Sequence, residues 1–467
     1  MVSHSELLPF LTTLDWMIFF GVLLLTFLSV LYGQTLKNKL DKSEKESPLE
    51  LLLMGRKLTL PIFVATLVAT WYGGIFGVTT LTFEKGVYNF LTQGVFWYIS
   101  YLIFALFLVK KIRSHNAMTI AGLAGQLFGT KAEKLTASLN FLNLLPIAYT
   151  ISLGLFLQAL FGGNLLLNTT IGVAVVSIWS IWGGFRAVVF SDIIQFFFMI
   201  LAVFLVVVFS WSQFGSPLVM MEKLPESHLD PTGGESLLTI FVWGFIALST
   251  LVDPNFYQRC LAAKSERVAK NGIFISTIIW FFFDCCTTIG ALYARAYLPD
   301  ADPQNAYLLF SMQVLPSGFR GLILAGVLAI ILSTLDAYLF NAATCLSYDF
   351  LKVKSKFKNW HHHIALVLVG ILSILLSLYF DGDIIEVWKV LGSFSAACLL
   401  FPLLISQWWP TIFDQKTFCL SVGLGCFGII MWRTLNQVYG IYPLDEFYVG
   451  LLLTILPLIP RILRAKA

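Results

Sequence analysis

The feature that most limits this chain is a succession of long apolar stretches that runs almost from end to end of its 467 residues. A bilayer core of about 30 Å is crossed by about 20 apolar residues in a helix. On that ruler the sequence predicts thirteen spans, roughly 15–35, 58–83, 88–110, 134–162, 165–184, 188–211, 236–254, 271–297, 318–348, 362–380, 384–408, 417–434 and 445–463. No stretch alternates with period two, as the strands of a membrane barrel would. The expected fold is therefore an all-α polytopic membrane protein embedded in a lipid bilayer. Composition agrees: 58% of residues are apolar and 12% charged, against about 45–50% and about 25% in soluble domains. That balance excludes a water-soluble enzyme, a disordered chain and a nucleic-acid binder.

The seven cysteines form no CxxC pair and mostly lie in apolar stretches, so neither a disulfide framework nor a zinc site is expected. The N-terminal residues lack the basic region and cleavage site of a removable signal peptide. The longest hydrophilic pieces, 36–57, 212–235 and 350–360, are too short to hold a core. Any activity must lie within the bundle or at its mouths.

Basic residues orient the spans, because Lys and Arg are retained on the cytoplasmic side. With the N-terminus outside and the C-terminus inside, all but six of the 30 Lys and Arg fall in inner segments. The six are Lys85, Lys223, Arg295, Arg320, Lys389 and Arg433. The inner set includes Lys42, Lys45, Lys352, Lys354, Lys356, Lys358, Arg464 and Lys466.

A charge at the bilayer centre costs about 2.5–3.5 kcal/mol or more, and so marks a pathway or an internal pair. Four acids fall in or beside the spans: Asp192, Asp253, Asp284 and Asp336. Asp253 precedes Pro254 and a basic loop, and reads as a helix-end acid in reach of water. Asp192 follows Arg186 and could pair with it. Asp336 is mid-span, and Asp284 is deep with no partner legible in sequence. Ser333 and Thr334 stand just before Asp336. Hydroxyls in membrane helices often bond back to their own helix, yet two together beside an acid also supply hard oxygen ligands for an alkali cation. Such a site needs main-chain carbonyls from an unwound helix. Gly73-Gly74, with Gly77 beyond, offers a break in the second span, since glycine costs about 1 kcal/mol in a helix. Close helix packing is the other reading of those small residues. Trp71, Tyr72, Phe76 and the amide of Gln93 surround the break. His361, His362 and His363 point about 100° apart on a helix and read as an interfacial cap. No nucleophile or metal motif with usable context occurs, and no enzyme activity is expected.

LDWMIFF, GRKLTLPIFVATLVATWYGG, GGFRAVVFSDIIQ, DPNFYQRCLAAKSERVAKNG, DADPQNA and GLILAGVLAIILSTLDAYLFNAAT, in that order over about 15–408, resemble the sodium:solute symporter family of sugar, proline, pantothenate and sialic-acid carriers. The resemblance implies an inverted five-helix repeat core of the amino-acid/sodium carrier type. The first repeat would be 58–211 and the second 236–408, joined by an extracellular loop, 212–235. A leading helix with a basic loop (1–57) and two trailing helices with a short tail (409–467) would flank them. It implies Na+ as coupling ion, held by carbonyls of Ala69, Tyr72 and Ile330 and hydroxyls of Ser333 and Thr334. A second cation or proton site would fall on Asp192 and Asp336. Three of that site's other family positions lack a side-chain oxygen here, so one sodium is expected. Solute-contacting positions fall on Trp71, Phe76, Gln93, Trp243 and Ser249. The expectation is sodium-driven uptake of a small organic solute by alternating access, in the cell membrane and by a monomer. The alternatives are a solute sensor with the same fold and a proton-coupled carrier.

Overall fold

The computed structural model describes residues 6–41, 44, 47–115, 117–350, 359–409, 414–440 and 444–461. The basic residues Lys42, Lys45, Lys352, Lys354, Lys356, Lys358, Arg464 and Lys466 lie outside them. Ten helices in the described residues are long and apolar enough to cross a membrane, and among those residues an isolated β-bridge joins Leu58 and Ala263.

In chain order the principal helices are α1 (Thr13–Asn38), α2 (Leu60–Ala69), α3 (Ile75–Lys85), α4 (Phe90–Ser114), α5 (Ile120–Phe128), α6 (Thr130–Leu144) and α7 (Ile147–Phe161). They continue with α8 (Leu165–Phe214), α9 (Leu237–Leu248), α10 (Pro254–Ala262), α11 (Glu266–Tyr297) and α12 (Ala306–Val314). The last five are α13 (Phe319–Thr344), α14 (Asn359–Tyr379), α15 (Ile384–Trp408), α16 (Gln415–Tyr439) and α17 (Glu446–Ile455). α8 turns sharply at Gly184, whose φ of 62° is a left-handed value that glycine adopts without a Cβ clash.

Burial sorts centre from rim. The apolar window of the helix Phe319–Phe350 is 89% buried, and that of Thr130–Phe161 is 83% buried. In α1 the figure is 28%, with Phe20, Leu24 and Leu28 facing outward. In a bilayer such apolar rims face lipid. α13 is therefore the axis around which α8, α1, α14 and α7 pack, with the ends of α2 and α3 touching it at the break. Its N-terminus is anchored by α1: Asp15 closes the capping box of its own helix with Thr12, and its other oxygen accepts the N–H groups of Gly318 (2.7 Å) and Gly321 (2.9 Å). One buried carboxylate thus satisfies the orphan donors of two helices.

One end of the bundle is tied by main chain. Leu58 N donates to Ala262 O (3.1 Å), and Lys264 N donates to Leu58 O (2.8 Å). Arg113 Nη1 clamps the same turn through Cys260 O and Ala263 O (2.6 and 2.9 Å). Nearby, Arg186 forms a buried ion pair with Glu50 (2.6 Å). The acid that follows Arg186 in sequence, Asp192, faces Arg259 instead.

Candidate functional site

The chain breaks its helical path twice near the centre. α2 stops at Ala69, and residues Thr70–Gly74 carry the chain irregularly into α3. A helix C-terminus leaves carbonyls without helical partners, and here side chains supply them, one from the break itself and two from neighbouring helices. Thr66 O takes the Thr70 hydroxyl (2.8 Å), Val68 O takes the Trp280 indole N–H (3.4 Å), and Ala69 O takes the Ser333 hydroxyl (2.7 Å).

The Ala69 carbonyl is one corner of an oxygen cluster. Ser333 Oγ lies 3.0 Å from Ile330 O, and Thr334 Oγ1 lies 3.2 Å from Ile330 O and 3.5 Å from Ala69 O. Two carbonyls and two hydroxyls from α2 and α13 thus face one another in a buried spot, and all four residues are at most 1% exposed. Hydroxyls can turn their protons outward and offer lone pairs, so this set can accept a small hard cation. Tyr72 lies in the adjoining break, with its phenol 3.1 Å from Thr287 Oγ1 on α11. Gly73 is pressed against Thr334: a β-carbon there would sit 2.4 Å from Thr334 Cβ. The glycine pair therefore serves both readings open in sequence, since it stands at a break and also permits close approach.

The second interruption lies between α9 and α10. Residues Ser249–Val252 form a short 3-10 turn, and Asp253 caps α10 by accepting the N–H groups of Asn255 (2.8 Å) and Phe256 (3.0 Å) on Oδ1. The two breaks flank a cavity of about 130 Å³. Its wall includes Trp71, Trp97, Tyr149, Tyr338 and Trp388, with the polar groups of Gln93, Asn143, Ser249, Thr250 and Asp253. Trp388 is held against Gly74, where a β-carbon would come within 1.9 Å of its ring.

Of the residues singled out as solute contacts, Trp71, Gln93 and Ser249 line this cavity. Phe76 lines a separate small hollow with Thr79 and Tyr307. Trp243 is buried against Tyr88 and does not line the cavity. Sequence reasoning missed Trp97, Asn143, Tyr149, Thr250, Tyr338 and Trp388, and did not place Asp253 at the cavity. Tyr338 was within reach, because it follows Thr334 by one helical turn.

The buried acids have separate partners. Asp192 accepts the Thr66 hydroxyl and stands 4.0 Å from Arg259 Nη2, both side chains being fully buried. Asp336 accepts from Ser180. Asp284, which had no legible partner, accepts from Tyr98.

Interrupted helices around a central cavity are the build of secondary carriers. The model of the sodium:solute symporter family matches residues 51–419. The chain belongs to that family, which bears out the resemblance of its motifs. Among curated relatives it is 24% identical to the sodium/pantothenate symporter of Escherichia coli over 71% of this chain and 72% of that one. It is 25% identical to sodium/glucose cotransporter 4 of Danio rerio over 58% of this chain, and 24% identical to an osmoregulated proline transporter of Bacillus subtilis over 65% of this chain and 64% of that one. The match spans about half of the zebrafish relative's own length (49%). A Na+-coupled sialic acid symporter solved in a substrate-bound outward-open state shares the fold, with a TM-score of 0.77 over 97% of this chain and 98% of that one at 14% identity.

Proposed function

We propose that the protein is a sodium-driven symporter that moves a small organic solute into the cell by alternating access. The observation that carries the reading is the oxygen cluster of Ala69, Ile330, Ser333 and Thr334, built across α2 and α13 at a helix break. Na+ at that cluster, joined by the Tyr72 carbonyl, links the broken helix to the central one. This fixes the break and with it the wall of the adjoining cavity, where the solute binds beside Trp71, Gln93 and Ser249. Coupling is then a shared preference of ion and solute for one conformation, and it is reciprocal. The membrane potential contributes about 2.3 kcal/mol per ion at 100 mV.

The reading takes thirteen spans, repeats at 58–211 and 236–408, the N-terminus outside and the C-terminus in the cytoplasm, and a monomer in the cell membrane. One ion per cycle is favoured, because the Arg259 guanidinium already stands as the cation beside Asp192. The test is solute uptake into liposomes with external sodium replaced by potassium. Uptake should fall to background, and potassium-insensitive uptake would exclude the mechanism.

A further inference from the structure

The cavity between the two breaks has a chemistry that selects its solute. Among the described residues it is lined by no Lys, Arg or His, and Asp253 is its one carboxyl. The remaining polar groups, Gln93, Asn143, Ser249 and Thr250, are neutral. Three tryptophans and three tyrosines, whose rings have electron-rich faces, share the wall: Trp71, Trp97, Trp388, Tyr72, Tyr149 and Tyr338.

A carrier of this build can hold an anionic solute on the exposed N-terminus of a half-helix. Here two half-helix N-termini adjoin the cavity, that of α3 at Gly74, which no side chain caps, and that of α10, which is taken. The first N–H groups of α10, those of Asn255 and Phe256, already bond Asp253 Oδ1. An anion entering the cavity would therefore find no basic side chain and would face the Asp253 carboxyl, with the uncapped N-terminus of α3 at Gly74 to offset it. The nearest guanidinium along α10, Arg259, is fully buried and turned toward Asp192. A cation finds the reverse: aromatic faces that attract a weakly hydrated ammonium and a negative group to balance it. The Nε2 of Gln93 is buried without a hydrogen-bond partner in the described residues, and it is placed to donate to an oxygen on the same solute.

We propose that the solute is an organic ammonium compound carrying an oxygen acceptor, its cation held between Asp253 and the Trp and Tyr wall and its oxygen by Gln93. This deepens the symporter reading and rests on its assignment of the cavity. It does not depend on sodium coupling.

The experiment measures binding to the purified protein in nanodiscs, in sodium and in potassium. The probes are choline, glycine betaine, choline's neutral carbon isostere 3,3-dimethyl-1-butanol, glucose and pantothenate. Choline or glycine betaine should bind at least about tenfold more tightly than the neutral isostere, and pantothenate should bind more weakly still. Asp253→Asn keeps a good helix cap while removing the charge. It should weaken choline binding by at least about tenfold, leave the isostere unchanged, and melt at the wild-type temperature without ligand. Trp97→Leu should lower the preference for choline over the isostere in the same direction. Equal binding of choline and its isostere, tighter binding of glucose or pantothenate, or an Asp253→Asn protein with unchanged choline affinity would each overturn the proposal. Ammonium binding indifferent to sodium would sink the symport reading and leave this one standing. Sodium-dependent binding of glucose or pantothenate would do the opposite.

Discussion

The two helix breaks are built in opposite senses. At the first, the Thr70 hydroxyl at the end of α2 bonds back to Thr66 O, and the last two carbonyls are met by hydroxyls and an indole from other helices. At the second, Asp253 and Pro254 start α10 by a local device, with the carboxylate on the helix N–H groups and proline in the first turn, where it lacks no bond. The first break therefore presents to the centre of the bundle both the negative end of α2 and the uncapped positive end of α3. The second presents a positive end already neutralised by its own acid. The carbonyls at the end of α2 and the carboxyl of Asp253 are the groups at the two breaks that favour positive charge.

The largest effect that would break this contrast is expected at the first site. Replacing Ser333 and Thr334 together by Ala removes both hydroxyls and leaves Ala69 O without its partners. Sodium-driven uptake should fall by about a hundredfold or more, since two ligands and a buried hydrogen bond are lost together. Retention of sodium-dependent uptake in the double variant would show that the cluster is only a structural contact.

A smaller effect joins the two sites. A methyl at Gly74 would meet the Trp388 ring, and overpacking of this kind costs about 1–3 kcal/mol. Gly74→Ala should weaken solute binding and lower the melting temperature, and Trp388→Leu in the same protein should restore part of the melting temperature. Additive losses in the double variant would mean that the two residues are not coupled.

The smallest effect sharpens the second site. Asp253→Ala removes the cap of α10 and should destabilise the protein by about 1 kcal/mol, whereas Asp253→Asn should not. Equal melting temperatures for the wild type and both variants would show that the local cap contributes nothing and that packing alone starts α10.

The contrast also explains what was legible in the sequence. The bundle and its helix class followed from apolar length, because a bilayer leaves a chain few alternatives. Asp253-Pro254 was readable as a helix end, since cap and proline act within a few residues. Ser333 and Thr334 stood out as hydroxyls beside an acid. The wall of the cavity was different. Trp388 is against Gly74 through a contact more than three hundred residues apart, and Trp97, Asn143 and Tyr149 face the same space from separate helices. No local pattern encodes such convergence. The partner of Asp192 was obscured for the same reason: the neighbouring Arg186 is engaged by Glu50, and the cation beside the acid comes from Arg259 on another helix.

The Leu58–Ala263 tie has a consequence for the balance of states. Its two hydrogen bonds join the segment before α2 to the end of α10, the bases of the two half-helices that flank the cavity. Any motion that parts these bases must break both bonds. Each bond contributes about 0.5–1.5 kcal/mol, so the pair biases against a form in which these bases are parted by roughly 5- to 150-fold. Because only main-chain atoms take part, side chains at Leu58, Ala262 and Lys264 can drift without resetting that bias, and a proline at 58, which lacks the donor, is the substitution that would change it directly.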